Sequence, residues 1–146
     1  MIEGGTAMAK VQKSIRIPED IAGAIQESAA ASGRDFTAVA TELLIEALKM
    51  RRCPGIIFAD GPSGRRARIA GTGLEVWEVI ATYKSLGRDF TRLRQAYHWL
   101  TEAQLRAALG YYAAYPEEID RLIDRNEAWT EERLARDHPT LVTDRL

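Results

Sequence analysis

The chain has 146 residues, with 20 basic and 21 acidic side chains, a formal net charge of −1, 46% hydrophobic residues and 28% charged residues. That length suits one ordinary domain or two small ones. The composition is that of a globular protein, and no apolar run approaches the length needed to span a bilayer, so a membrane anchor is not expected. Residues 1–9 are small and polar and lack the basic start and apolar centre of a secretion signal, so they read as a tail and the protein as cytoplasmic. A single cysteine, Cys53, makes no intrachain disulfide and agrees with a reducing compartment; it reads as a linker residue. Charge is uneven: residues 1–55 carry seven basic and seven acidic side chains, residues 56–100 seven and four, and residues 101–146 six and ten. A basic middle permits nucleic acid, and an acidic end permits a basic protein partner.

The first organised stretch is Lys10 to Met50. Val11, Ile15 and Ile17 fall on one face of a predicted strand, and Gln12, Ser14 and Arg16 on the other. Pro18 ends ladder pairing and opens a helix, with Glu19 and Asp20 in its first turn opposing the dipole. Ile21, Ile25 and Ala29 space the buried stripe of this helix, and Gly33 supplies a left-handed stop. Asp35 is the expected N-cap of a second helix. Its apolar stripe is Phe36, Val39, Ala40, Leu43, Leu44, Ala47 and Leu48.

Some forty residues cannot bury a core alone, and a lone strand has no partner for its backbone groups. A second copy meets both needs if two strands pair as an antiparallel ribbon above four helices. The polar alternation in the strand, the proline opening the first helix, Gly33-Arg34 before the second and the apolar second helix resemble the ribbon-helix-helix DNA-binding family of the Arc and MetJ type. The resemblance implies that Gln12, Ser14 and Arg16 meet base edges in the major groove, and that the amides near Phe36 and Thr37 meet phosphate. Asp35 departs from the Ser or Thr usual in that family, and its carboxylate would repel a phosphate. The competing reading makes Gln12, Ser14 and Arg16 the solvated face of a strand that only dimerises.

Pro54 and Gly55 break the helical pattern and set a boundary. Ile56 to Ala59 and Arg65 to Ala70 read as the two strands of a hairpin around the turn residues Asp60 to Gly64. Arg65, Arg66 and Arg68 could face phosphate, but charges that protect a strand edge are the better reading. Gly71-Thr72-Gly73 is too short for a nucleotide loop, and Thr72 with Glu75 stands at capping-box spacing before a helix carrying Val76, Trp77, Val79, Ile80 and Tyr83, which Gly87 ends. Gly87 to Thr91 repeats the residue types of Gly33 to Thr37 and reads as shared helix punctuation. Phe90, Leu93 and Tyr97 define a short helix. His98-Trp99-Leu100 turns the chain to Thr101, whose spacing to Gln104 is again that of a capping box. The next helix places Leu105, Ala108, Leu109 and Tyr112 inward. This pair is a helix-turn-helix candidate, although Glu102 and only one basic residue on its exposed face favour packing over groove reading. Tyr111, Tyr112 and Tyr115 read as core before they read as a platform for bases. Pro116, Glu117 and Glu118 open a last helix with Ile119, Leu122 and Ile123 inward. Beyond Asn126, the scattered Trp129, Leu134, Leu141 and Val142 suggest a tail that orders on a partner.

Arg68-Ile69-Ala70-Gly71-Thr72, Val76-Trp77-Glu78-Val79, Leu100 to Leu109 and Tyr112 to Ile119 resemble the domain-of-unknown-function 433 group of small prokaryotic proteins, over about half the chain. Gly73-Leu74 replaces the Arg-Ile that many of its members carry. The resemblance implies a helix-turn-helix or winged-helix architecture and the antitoxin half of a toxin-antitoxin pair whose toxin is a PIN-like nuclease.

The expected fold is therefore mainly α with short β: a ribbon-helix-helix dimer unit (10–52) after a tail (1–9), then a small β-hairpin and winged-helix-like helix-turn-helix bundle (56–127), then a C-terminal tail (128–146). The expected function is a VapB-like antitoxin: a homodimeric, or higher-order, autorepressor that binds operator DNA through Gln12, Ser14, Arg16, Phe36 and Thr37. It would hold a PIN-like toxin through Trp129, Leu134, Leu141 and Val142. A stand-alone regulator and a homo-oligomeric adaptor are the alternatives. His98 and His138 lack companions at metal-ligand spacing, and no nucleophile motif is present, so neither enzymatic activity nor a metal or other cofactor is expected.

Overall fold

The computed structural model describes residues 9–137. The chain divides into two compact units, Met1–Arg52 and Cys53–Leu146. No helix among the described residues is long and apolar enough to cross a membrane.

The first unit contains two helices, α1 (Glu19–Ser32) and α2 (Phe36–Arg52). Pro18 stands just before α1 as its N-cap, with ψ at 146°, and its carbonyl accepts from Ala22 N–H (3.0 Å). Gly33 adopts φ 66°, which an L side chain would resist, and its N–H returns to the Ala29 and Ala30 carbonyls to close α1. Asp35 Oδ1 then accepts from Ala38 N–H (2.7 Å), so α2 starts on the cap its sequence provides. Arg34 ties this turn to α2 through two contacts with Glu42, at 3.1 and 3.2 Å.

The expected N-terminal strand is absent: residues 11–17 form no ladder and are exposed, and this unit is two helices, not a ribbon-helix-helix. The reason is physical: a strand exists only beside another strand, and the single two-stranded sheet of the described chain pairs β1 with β2. The α1 stripe is also narrower than its spacing suggested. Ile25 and Ala29 are buried, whereas Ile21 is 47% exposed.

In the second unit, β1 (Ile56–Gly61) and β2 (Gly64–Ile69) form an antiparallel hairpin in register from Ile56↔Ile69 to Gly61↔Gly64. Pleat alternation places Ile56, Phe58, Ala67 and Ile69 on the core face, and Ile57, Arg66 and Arg68 on the other. Four helices follow: α3 (Val76–Ser85), α4 (Phe90–Ala96), α5 (Glu102–Ala114) and α6 (Pro116–Asp137). Val76, Val79, Ile80, Leu93, Leu105, Tyr111 and Ile119 are fully buried and join the hairpin in one core.

Several boundaries differ from the pattern-based expectation. The cap of α3 is Glu75, whose N–H donates to Glu78 Oε2 (2.9 Å). Thr72 instead closes the preceding turn, donating to the Ile69 carbonyl (2.9 Å) and accepting from Leu74 N–H (3.1 Å). The Thr101–Gln104 box forms in both directions, at 2.9 and 3.1 Å. Cys53 is not a linker residue but a buried member of the core. Two residues later Gly55 has φ 89°, and a Cβ there would lie 3.1 Å from Ala107 Cβ, so both backbone conformation and space call for glycine. Residues 127–137 do not form the expected tail that orders on a partner: α6 continues through them to Asp137.

Candidate dimerisation and nucleic-acid interface

Helix α2 is amphipathic in sequence but is not buried on its apolar side. Its shielded positions are Phe36, Ala38, Val39 and Ala40 in the first half and Glu42, Glu46 and Lys49 further on, while Leu43 (47%), Leu44 (60%) and Leu48 (68%) remain open to solvent. Only the first part of the predicted stripe, Phe36, Val39 and Ala40, packs against Ile25 and Ala29. Val11 (77% exposed) and Ile15 (73%) leave a second set of apolar side chains uncovered. Full burial of one Leu or Ile side chain is worth about 1.5–3 kcal/mol, so this surface stores a large drive for association.

Gln12, Ser14 and Arg16 are exposed, as a base-reading set would need to be, but the absence of a strand leaves their shared face undefined in a single chain. Phe36 and Thr37 open α2, where main-chain N–H groups lack intrahelical partners. Phe36 is half-buried and Thr37 exposed. The Asp35 carboxylate caps this same turn, so a negative charge stands where the family resemblance would put phosphate.

In the second unit, the face of α5 that a groove-reading role would have used, the reading the sequence disfavoured, is taken up by local ion pairs. Glu102 accepts from Arg106 (2.8 Å) and lies 3.7 Å from Arg94, and these contacts hold its carboxyl below the usual range, with the Arg106 hydrogen bond the main cause. Arg106 also lies over the Phe90 ring, 4.5 Å from its centroid. On the hairpin, Arg65 pairs with Asp60 (3.2 Å), and Arg68 donates to the Asp60 carbonyl (3.2 Å). Arg68 Nε is buried without a hydrogen-bond partner among the described residues.

Trp129 is 54% exposed on α6 with Arg133 over its ring, and Leu134 is half-buried on the same helix; Leu141 and Val142 lie outside the described residues, as does His138. His98 is exposed and meets Trp99 edge to face.

Two polar clusters escaped the sequence reading. Tyr111, fully buried, donates to Glu118 Oε2 (2.6 Å), and burial, followed by that bond, drives its phenol pKa upward, so it stays protonated. Lys84 donates to Asp120 (2.6 Å), which also accepts from Tyr112 (2.9 Å), binding α3, α5 and α6 together. The Asp120 hydrogen bond raises the Lys84 pKa, and the Lys84 hydrogen bond lowers that of Asp120. The i, i+8 spacing of Tyr112 and Asp120 gave no helical-neighbour signal because Tyr115 and Pro116 interrupt the helix between them.

Residues 58–112 match the family model described as Protein of unknown function (DUF433). This segment is a DUF433 domain. No curated protein and no solved structure matches the chain. The DUF433 match runs from Phe58 in β1 to Tyr112 in α5, so the hairpin and α3 to α5 are its body, while all of α6 lies beyond it.

Proposed function

We propose that the protein is a homodimeric operator-binding autorepressor that also serves as an antitoxin. The observation that carries the dimer is the exposure of the second half of α2, where Leu43, Leu44 and Leu48 are open to solvent while Glu46 is buried. A second copy laid on Leu43, Leu44 and Leu48 removes that surface from water and brings the two Val11 to Ile17 segments within reach of one another. They then pair as a ribbon, which orders Gln12, Ser14 and Arg16 on one face for the major groove. The antitoxin half of the proposal rests on family resemblance and on the exposed Trp129, with a PIN-like nuclease as the protein partner.

The test is binding of the full chain to its own promoter against random duplex, measured across salt concentrations. Arg16→Ala is expected to weaken specific binding by about 1–3 kcal/mol if its guanidinium makes a bidentate base contact. Asp35→Ser is expected to tighten binding, since it keeps a cap and removes a charge near phosphate. Wild-type protein that dimerises but shows no preference for its promoter refutes the repressor. Because α6 is folded through Asp137, the partner is tested by Trp129→Ala in co-purification with the neighbouring gene product, not by cutting the chain at residue 128. The second reading, an adaptor that dimerises without DNA, is favoured by the Asp35 carboxylate at the start of α2.

A further inference from the structure

The second unit contains a cleft of about 420 Å³ between the hairpin turn, the start of α3 and one face of α6, within the usual size range of small-molecule sites. Its helical wall is a stripe, Leu122, Arg125, Asn126 and Trp129, at the three- and four-residue spacings that align side chains on a helix. Across from it stand Trp77 from α3 and Arg66 from the outer face of β2.

Two indoles line the cleft, Trp77 half-buried against the core and Trp129 exposed with Arg133 over one face of its ring, and two guanidinium groups offer positive charge. Arg66 has one hydrogen bond, to the Arg65 carbonyl (3.1 Å), and Arg125 has neither hydrogen bond nor ion pair among the described residues. The only carboxylate in the lining, Glu75, already accepts the indole N–H of Trp77. Tryptophan and arginine together favour a planar ring bearing an anionic group, and an isolated carboxylic acid would leave one guanidinium unused. We infer that this cleft binds a mononucleotide, with its base against Trp77 or Trp129 and its phosphate on Arg66 and Arg125. Ser63 from the hairpin turn and Asn126 from α6 supply neutral hydrogen-bonding groups on the two sides of the cleft.

The experiment follows the indole N–H signals of the chain's three tryptophans in the full-length protein while adenosine 5′-monophosphate is added. Trp77 and Trp129 are expected to shift saturably, and Trp99, which packs on Tyr97 away from the cleft lining, is expected to stay in place. Adenosine and inorganic phosphate are each expected to bind at least about tenfold more weakly than the nucleotide, since each lacks one half of the recognition. Arg66→Gln and Arg125→Gln are each expected to weaken the nucleotide by about tenfold with the Trp99 signal unmoved, which reports an intact fold. Equal affinity for phosphate and nucleotide, equal affinity for adenosine and nucleotide, binding indifferent to both arginine variants, or no saturable shift at millimolar ligand would each overturn the inference.

Discussion

Met1–Arg52 and Cys53–Leu146 are both built from amphipathic elements, yet every large side chain buried to completion, from Tyr111 to Val79, belongs to the second unit. In the first, among the described residues, Ile25, Ala29 and Val39 form the whole buried apolar set, and the exposed leucines of α2 outnumber them in volume. The contrast teaches that amphipathic spacing reports which side chains must leave water, not which surface takes them. One unit finds that surface within its own sequence. The other leaves Leu43, Leu44 and Leu48 open, and on the proposed dimer its stability is expected to rise with protein concentration whereas that of the second unit is not.

The largest test removes the centre of the self-sufficient unit. Tyr111→Ala leaves a cavity where a 0%-exposed ring stood and removes the Tyr111 hydrogen bond to Glu118; about 3–5 kcal/mol of stability should be lost in denaturant titration of the second unit, independent of protein concentration. A loss below about 1 kcal/mol would mean that this core is not packed as described. Next, Leu44→Asp with Leu48→Asp should abolish self-association in sedimentation while leaving the helical content of the second unit intact, because both side chains are open in the single chain. Retained dimerisation would move the partner surface off α2. Gly55→Ala should destabilise the second unit by about 1–3 kcal/mol, through a left-handed backbone and a 3.1 Å approach to Ala107, without changing self-association.

The smallest effect is electrostatic. The Asp120 carboxyl is held below its ordinary 3.8, so its contribution is present above that value and is lost as pH falls through the lowered pKa. Lys84 is raised above 10.5, so its contribution is present below 10.5 and is lost as pH rises through the raised pKa. Both groups are substantially exposed, and about 0.2–1 kcal/mol is expected from the pair. Lys84→Met should therefore flatten the acid and alkaline limbs of the second unit's stability profile slightly; unchanged limbs would show the pair to be inert.

Local chemistry was the legible part. Gly33, Asp35, Asp89, Thr101 and Gln104 act at their own backbone turns, and each does what its spacing predicts. Gly33-Arg34-Asp35-Phe36-Thr37 and its counterpart at Gly87 both place a glycine at positive φ and an aspartate on the third amide beyond it, although Arg88 joins the second turn at φ 59°. Nonlocal choices were not legible. By type Thr72 is the cap and Glu75 its capping-box partner, and only the Arg68↔Glu75 bridge at the hairpin's end shows why the helix starts at the later residue. Cys53 looked like punctuation beside a proline and a glycine, because nothing local says that a core lies across from it. For the candidate interface, the helices α1 and α2 were legible, while the expected strand at residues 11–17 was not there, because alternation alone does not supply the neighbouring strand that a ladder needs.

Cys53 and Ile56 on one side, and Ile119 and Ile123 on the other, are core residues that fall outside the 58–112 segment. The segment by which relatives of this domain are recognised is thus smaller than the piece that could be inherited as a working part. A recombination event that transplanted 58–112 alone would carry the hairpin and three helices away from the α6 face of their core and from the Gly55 carbonyl that accepts Ala70 N–H at 2.9 Å. Natural fusions of this domain should therefore break near residue 53 on one side and well past residue 123 on the other, and chains joined at the narrower limits should be found only where the new neighbour supplies an apolar helix in place of α6.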